Sequence, residues 1–301
     1  MKNILISGGS GFVGKHITKI LQEDQNHVYI LTRNLSGKPK EPNVSYVEWL
    51  TPQSTPEKEL PKIDAVINLA GESINGRWTA EKKQAILNSR LNATQELLNL
   101  AKKMPEAPSV WVNASAIGYY GTSESEIFTE NTTNHGSDFL AEVVKAWETK
   151  ASEAENIGCR TVFTRFGLIL GRDGGVLPQL TLPYRFFAGG TVGSGDQWIS
   201  WVHVEDVARM IKEVINNEAY SGPVNITAPH PVTMKEFGQV TGDVMNRPHW
   251  LPAPSFAFKL IFGEMSMLIL EGQQVLPEKA VHRGYSFKYS HLKGALQDLI
   301  Q

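Results

Sequence analysis

The sequence predicts an α/β fold, a doubly wound parallel sheet of the Rossmann type, joined to a smaller, discontinuous, α-rich C-terminal substrate lobe. Three observations carry that prediction. An apolar run from Met1 to Ser7 leads directly into a Gly8-x-x-Gly11-x-x-Gly14 turn. Short apolar runs then alternate with amphipathic helical patterns as far as Arg165, the signature of a parallel sheet covered on both faces. From Gly171 to Gly195 the chain becomes rich in glycine and proline, which marks a change of architecture.

The first unit is strand, glycine turn, a helix whose apolar face is Val13, Ile17, Ile20 and Leu21, and a second strand over Val28–Thr32. Strands follow at Val44–Trp49, Ala65–Gly71, Ser109–Ser115 and Thr161–Arg165, separated by helices over about 79–103 and 139–156. Pro223–Ala228 reads as a strand returning to the sheet, and the chain from about Val232 reads as mostly helical. This divides the chain into a dinucleotide-binding part, residues 1–165 with about 201–230, and a substrate lobe, about 166–200 and 231–301, ending in a helical module over 249–301.

The glycines have separate tasks in such a turn. Gly8 allows the tight turn, Gly11 lets the backbone approach a pyrophosphate, and Gly14 lets helix pack on strand, while the helix N-terminus offers free N–H groups. An NAD site commonly has an acidic residue about 20 residues beyond the turn, to accept hydrogen bonds from the ribose. This chain has Thr32-Arg33-Asn34 there, and a guanidinium suits the 2′-phosphate of NADP(H).

Composition narrows the function classes. A chain of 301 residues can bury a large core, and a formal net charge of −2 argues against a nucleic-acid or membrane-surface partner recruited by bulk charge. The single cysteine, Cys159, reads as a buried structural thiol, and the histidines show no metal-ligand spacing. The expected setting is cytoplasmic: the N-terminus is itself a core strand, and no apolar run approaches the ~20 residues needed to cross a bilayer. Ser115 lies in Asn-Ala-Ser-Ala-Ile, outside any hydrolase elbow.

Ligands of open α/β sheets lie beyond the carboxyl ends of the strands. Those ends here are Asn68-Leu69-Ala70-Gly71, Asn113-Ala114-Ser115 and Arg165-Phe166-Gly167. Together with Gly118-Tyr119-Tyr120-Gly121 and Trp201-Val-His203-Val-Glu-Asp206, they make the whole chain resemble the short-chain dehydrogenase/reductases, nearest to their extended, epimerase-like branch. Within that branch it is similar to an atypical YfcH-type group of NAD-dependent epimerase/dehydratase-like proteins. The marks of that group are Gly193-Ser-Gly-x-Gln-Trp198, the Trp-x-His-x-Glu-Asp stretch, and a C-terminal module resembling the domain of unknown function DUF1731.

The resemblance implies NADP(H) held by Gly8, Ser10, Gly11, Phe12, Val13 and Gly14, by Thr32, Arg33 and Asn34, and by Leu69, Ala70, Gly71, Arg90, Ala114, Phe166 and Gly167. It also implies a serine, a Tyr-x-x-x-Lys pair and often an asparagine as catalytic machinery, the tyrosine exchanging a proton with the substrate oxygen. Ser115 keeps its place. The pair does not: its positions correspond to Phe139 and Val143, neither of which moves a proton, and Lys145 falls about 200° around the helix from Val143. Arg90 stands where the asparagine would be.

Two readings follow. Either hydride transfer is real, in a reductase or epimerase, with a proton donor from Tyr119, Tyr120 or His203; or the chain binds NADP(H) as a sensor without turnover. Each candidate has an ordinary alternative: packing for Tyr119 and Tyr120, bracing for His203, a helix cap for Asp206. Arg165 pairs with a substrate anion or holds the two lobes together. Arg77 and Trp78 line the pocket or lie on the surface, and Trp198 and Trp201 face a substrate or fill core. The substrate is a small molecule of unassigned identity, a carbonyl or hydroxyl compound or a nucleotide sugar, the last being what the resemblance to the epimerase-like branch implies. The helices over 79–103 and 139–156, a dimer interface in many relatives, leave monomer and homodimer open.

Overall fold

The computed structural model describes residues 1–301. Its centre is a 7-stranded, all-parallel sheet. The strands are β1 (Asn3–Ser7), β2 (His27–Thr32), β3 (Val44–Glu48), β4 (Ala65–Asn68), β5 (Val110–Ala116), β6 (Arg160–Phe166) and β7 (Gly222–Ile226). Their spatial order is β3-β2-β1-β4-β5-β6-β7, so the winding reverses between β1 and β4 and opens a crevice at their carboxyl ends.

Side-chain alternation along each strand feeds two cores. In β1, Ile4 and Ile6 face helices α1 (Phe12–Glu23) and α5 (Val204–Asn216), joining Ile17, Leu21, Val207 and Ile211. Leu5 between them faces α2 (Ala80–Lys103), with Val66, Leu97, Leu98 and Trp111. Fully burying each such side chain contributes roughly 1.5–3 kcal/mol, and the strict period of two leaves the sheet one register. Thr79 caps α2 by accepting from the Lys82 backbone N–H, and Asp138 caps α3 (Phe139–Ala151) by accepting from those of Leu140 and Ala141.

A separate cluster forms around α4 (Leu177–Arg185), α6 (Met234–Met245) and α8 (Leu292–Ile300), with Leu177, Trp201, Phe237, Leu296 and Leu299 at its heart. Between α6 and α8 lies α7 (Ser255–Phe262), which buries none of its residues. Helix α3 stops at Ala151 and continues as a tight turn over Ser152–Ile157, shorter than the helical pattern predicts. The Trp201–Asp206 stretch also departs from its alternating pattern: the strand ends at His203 and α5 begins at Val204. Asp206 therefore lies inside the first turn and is not the cap. Its carboxylate accepts instead from the backbone N–H groups of Lys288 and Tyr289, tying down the C-terminal segment.

Candidate functional site

The glycine turn leaves the sheet at the crevice. Gly8 has φ +74°, and a Cβ there would stand 2.8 Å from the Leu69 carbonyl carbon; a Cβ on Gly14 would stand 2.6 Å from the Gly9 backbone. Both positions therefore require glycine, the first for its turn and the second for the seating of α1. No side chain caps α1 at Gly11, and Ser10 and Gly11 are exposed, so the first N–H groups of the helix are open to an anion. Val13 lines the cavity described below. Phe12 points away, its ring filling the room left by Gly171 and Gly174.

Arg33 is exposed at the end of β2, where Thr32 and Asn34 close a turn: the Asn34 N–H donates to Thr32 Oγ1 at 3.3 Å. A residue the sequence reading omitted joins them. Lys38 reaches back so that its Nζ donates to Ser10 Oγ at 3.3 Å, placing a second cation over the glycine turn. This cradle, its open N–H groups and two flanking cations fit a dinucleotide with an additional phosphate.

Beneath the crevice lies a buried polar layer. Asn68 accepts from Ser7 Oγ (2.7 Å) and donates to Asn113 Oδ1 (2.8 Å) and Thr94 Oγ1 (2.9 Å), which also receives the Trp147 indole N–H. These bonds fix the strand ends to α2 and α3. Arg90, on α2, donates to the carbonyl oxygens of Ile86 and Glu72, packs against Gly71 and lies over the Trp147 ring; burial lowers its pKa.

A cavity of about 420 Å³ opens at the ends of β5 and β6. Its inner end is formed by Val13, Leu69, Ala114, Ser115, Phe166 and Gly167; its side wall by Leu140, Val143, Val144 and Trp147 of α3; its outer cover by Trp198, Met267, Leu268 and Glu271–Gln273. Of the two expected positions, Val143 lines the cavity and Phe139 does not, packing edge-on against Trp78; Leu140 and Val144, each one residue further along, also line it. The chemistry is unchanged, since leucine and valine move no protons either. Lys145 lies outside and pairs its Nζ with His135 Nε2 at 2.6 Å.

Ser115 lines the cavity, but its hydroxyl donates to Glu148 Oε1 at 2.5 Å. Glu148 is gripped by Arg165, Nε to Oε1 and Nη2 to Oε2, each at 2.8 Å. Burial alone would lower the Arg165 pKa; the hydrogen bonds and charge of Glu148 outweigh it and raise the value. Arg165 thus meets a protein carboxylate, with Tyr119 stacked 3.5 Å from its guanidinium. Glu148 was missed by sequence reasoning. The signal was available, because it is a lone carboxylate on the buried Ala141-Val144-Ala151 stripe of α3.

The remaining candidates separate clearly. The Tyr119 hydroxyl donates to the Thr133 carbonyl (3.2 Å) and that of Tyr120 to Asn225 Oδ1 (2.8 Å); neither ring lines the cavity. His203 is 3 % exposed, caps α5 by accepting from the Glu205 N–H, and stacks on Tyr289; burial lowers its pKa. Trp201 is fully buried, donating to the His230 carbonyl. Trp78 is buried on the Ile74 carbonyl, Arg77 is exposed, and Trp198 lines the cavity while donating to the Glu124 carbonyl.

The outer cover is fastened by the Gly193–Trp198 motif. Gln197 is buried and its Nε2 donates to the carbonyl oxygens of Val192 and Ile269, each at 3.0 Å. Ser200 donates to the Gln273 carbonyl and accepts from the Val275 N–H. No helix is long and apolar enough to cross a membrane.

Comparison with known proteins matches this architecture throughout. The chain is 50 % identical over 298 residues to epimerase family protein YfhF of Bacillus subtilis, covering 99 % of this chain and 98 % of that one. It is 44 % identical over 304 residues to epimerase family protein SA0724 of Staphylococcus aureus, covering all of both. Among solved structures, the human epimerase family protein SDR39U1 with NADPH superposes with a TM-score of 0.86 at 31 % identity, covering 99 % of this chain and 98 % of that one. UDP-glucuronic acid 4-epimerase from Bacillus cereus shares the fold, with a TM-score of 0.79 at 16 % identity over 99 % and 98 % of the two chains. The domain of unknown function DUF1731 matches residues 253–299. With its family profile matching residues 4–227, the chain belongs to the NAD-dependent epimerase/dehydratase family.

Proposed function

We propose that this chain is an NADP(H)-dependent oxidoreductase, acting by hydride transfer on a small carbonyl or hydroxyl compound, as a reductase or as the oxidation step of an epimerase. The observation that carries the proposal is one continuous cavity, running from Val13 of the glycine turn to Met267 under the C-terminal cover. Exposed Arg33 at the end of β2 and Lys38, which reaches exposed Ser10, favour the 2′-phosphate of NADP(H) over NAD. The structural relative solved with NADPH supports that choice.

The bound dinucleotide supplies hydride chemistry at its nicotinamide. Gly8, Gly11 and Gly14 would admit its pyrophosphate, with Ala114, Phe166 and Gly167 beside the nicotinamide end. Ser115 is the polar group of β5 facing that end. The Ser115 hydroxyl donates to Glu148, so its oxygen accepts from a substrate hydroxyl; on oxidation that proton passes through Ser115 Oγ to Glu148 Oε1, on reduction it returns by the same route to the carbonyl oxygen, and Arg165 orients the Glu148 carboxylate. Leu140, Val144 and Met267 exclude water from the reacting carbon.

The test is absorbance of the reduced nicotinamide with a panel of carbonyl compounds, alongside calorimetric NADPH binding. Oxidation that falls about ten- to a hundredfold in Ser115→Ala, with unchanged NADPH affinity, supports the proposal. Equal turnover in the variant removes Ser115 from the chemistry. A second reading, an NADP(H)-binding sensor without turnover, draws on the apolar residues Leu140 and Val144 facing the cavity. Tight NADPH binding without oxidation across the panel favours it.

A further inference from the structure

We infer that the compound this cavity accepts is uncharged and predominantly apolar, and that nucleoside diphosphate sugars are excluded from it; the inference rests on the cofactor placement proposed above. Three features of the cavity agree. The first is charge. Its sole lining cation is Arg90, which lies beside Gly71 at the cofactor end with its Nη1 already donating to two carbonyl oxygens. The substrate end holds the carboxylates Asp138 and Glu271. A diphosphate there would lose water without gaining a counter-charge, and would meet two anions of its own sign. The adjoining outer recess does not repair this. It shares Asp138 and Glu271 and adds Glu264, whose partner Lys83 is thereby neutralised, leaving Lys259 as its single unpaired cation.

The second feature is surface chemistry. The walls that would touch a substrate body are Leu140, Val143, Val144, Met267 and Leu268, with Trp198 beside them. Sugar hydroxyls need hydrogen-bond partners when buried, and here the side-chain donors nearest to hand are already engaged. Ser115 donates to Glu148, Thr122 to Glu271 Oε2 at 2.9 Å, and Gln273 Nε2 to the Ile117 carbonyl at 3.1 Å. The third is room. The cavity measures about 420 Å³ before the nicotinamide takes its inner end, near the small end of the roughly 300–1,000 Å³ range of ligand sites. A nucleoside diphosphate sugar has to place three rings and two phosphates.

Calorimetry on the full-length protein saturated with NADPH tests this without requiring turnover. The probes are 2-decalone, an uncharged bicyclic ketone, and UDP-glucose. The expected result is 2-decalone binding with Kd at or below about 1 mM, weakened at least about tenfold by Leu140→Trp or by Val144→Phe, with NADPH affinity retained and no UDP-glucose binding. UDP-glucose binding that these variants weaken overturns the inference, as does absence of 2-decalone binding or ketone binding that neither variant alters. Failure of the proposed function has a different signature, NADPH that does not bind or is never oxidised. In the first case the same two probes are titrated into the protein alone, and they decide the substrate class by the same criteria.

Discussion

The cofactor rim and the substrate wall hang from the same strand ends but are made of opposite materials. The rim is backbone: Gly8 and Gly14 leave no room for side chains, α1 presents unfilled N–H groups, and exposed Arg33 and half-buried Lys38 add charge at the edge. The wall is side chain: Leu140, Val144, Met267 and Leu268 converge from segments more than a hundred residues apart. A fixed ligand can be met by one contiguous motif, whereas a family-variable ligand is met by whatever the tertiary structure brings over the cavity. The difference also explains why the family's proton-transfer pair can be absent while its dinucleotide cradle stays intact.

The sharpest way to break the comparison is at the joint between the two regions. Arg165→Met leaves the Glu148 carboxylate buried and unpaired, and is expected to cost about 3–5 kcal/mol in urea unfolding. Adding Glu148→Leu to Arg165→Met should recover much of that loss; a double variant as unstable as the single would show that the pair is not what holds Ser115 in place.

Rim charge comes next. Reversing both cations, Arg33→Glu with Lys38→Glu, should weaken NADPH binding by about a hundredfold and leave NADH within about threefold, since charge-assisted hydrogen bonds contribute roughly 1.5–3 kcal/mol each. Equal losses for both cofactors would mean that these cations do not read the 2′-phosphate. Rim shape is tested by Gly14→Ala, whose methyl would meet the Gly9 backbone. The expected cost is about 1–3 kcal/mol of stability together with loss of NADPH affinity, read by thermal unfolding with and without cofactor.

The smallest effect concerns pH. Burial depresses His203, and more weakly surrounded His16 and His249, below the ordinary value of 6.5. Below that pH the unfolded chain takes up protons that the folded chain refuses. Stability should therefore be full above about pH 6.5 and fall as pH drops toward the folded values, by at most roughly 1.4 kcal/mol per pH unit for each such proton. In His203→Gln the fall should be shallower, with NADPH affinity unchanged; a changed affinity would return His203 to the site.

Much of this molecule was legible in one dimension because its determinants are local. Short apolar runs alternating with amphipathic helices announced the parallel sheet, the glycine spacing announced the crevice, and Arg33 followed at its usual distance from the turn. Lys38 was not legible, because only the fold of the loop after Asn34 brings it back to Ser10. Tyr119, Tyr120 and His203 carried the right chemistry for catalysis, but chemistry does not give direction. Their hydroxyls and ring nitrogens are taken by Thr133, Asn225 and the Glu205 N–H, away from the cavity.

The sequence by itself determined the parallel sheet and the dinucleotide cradle, because backbone geometry and the hydrophobic pattern of each element are properties of neighbouring residues. Only the tertiary structure decided that Glu148 receives the Ser115 proton, that Arg165 is consumed by Glu148, and that the C-terminal module roofs the cavity through Gln197 and Ser200. Those contacts join residues from 17 to 73 positions apart. The energy that selects them is burial of polar groups that must find partners, and which partner each finds is settled only when the two cores close.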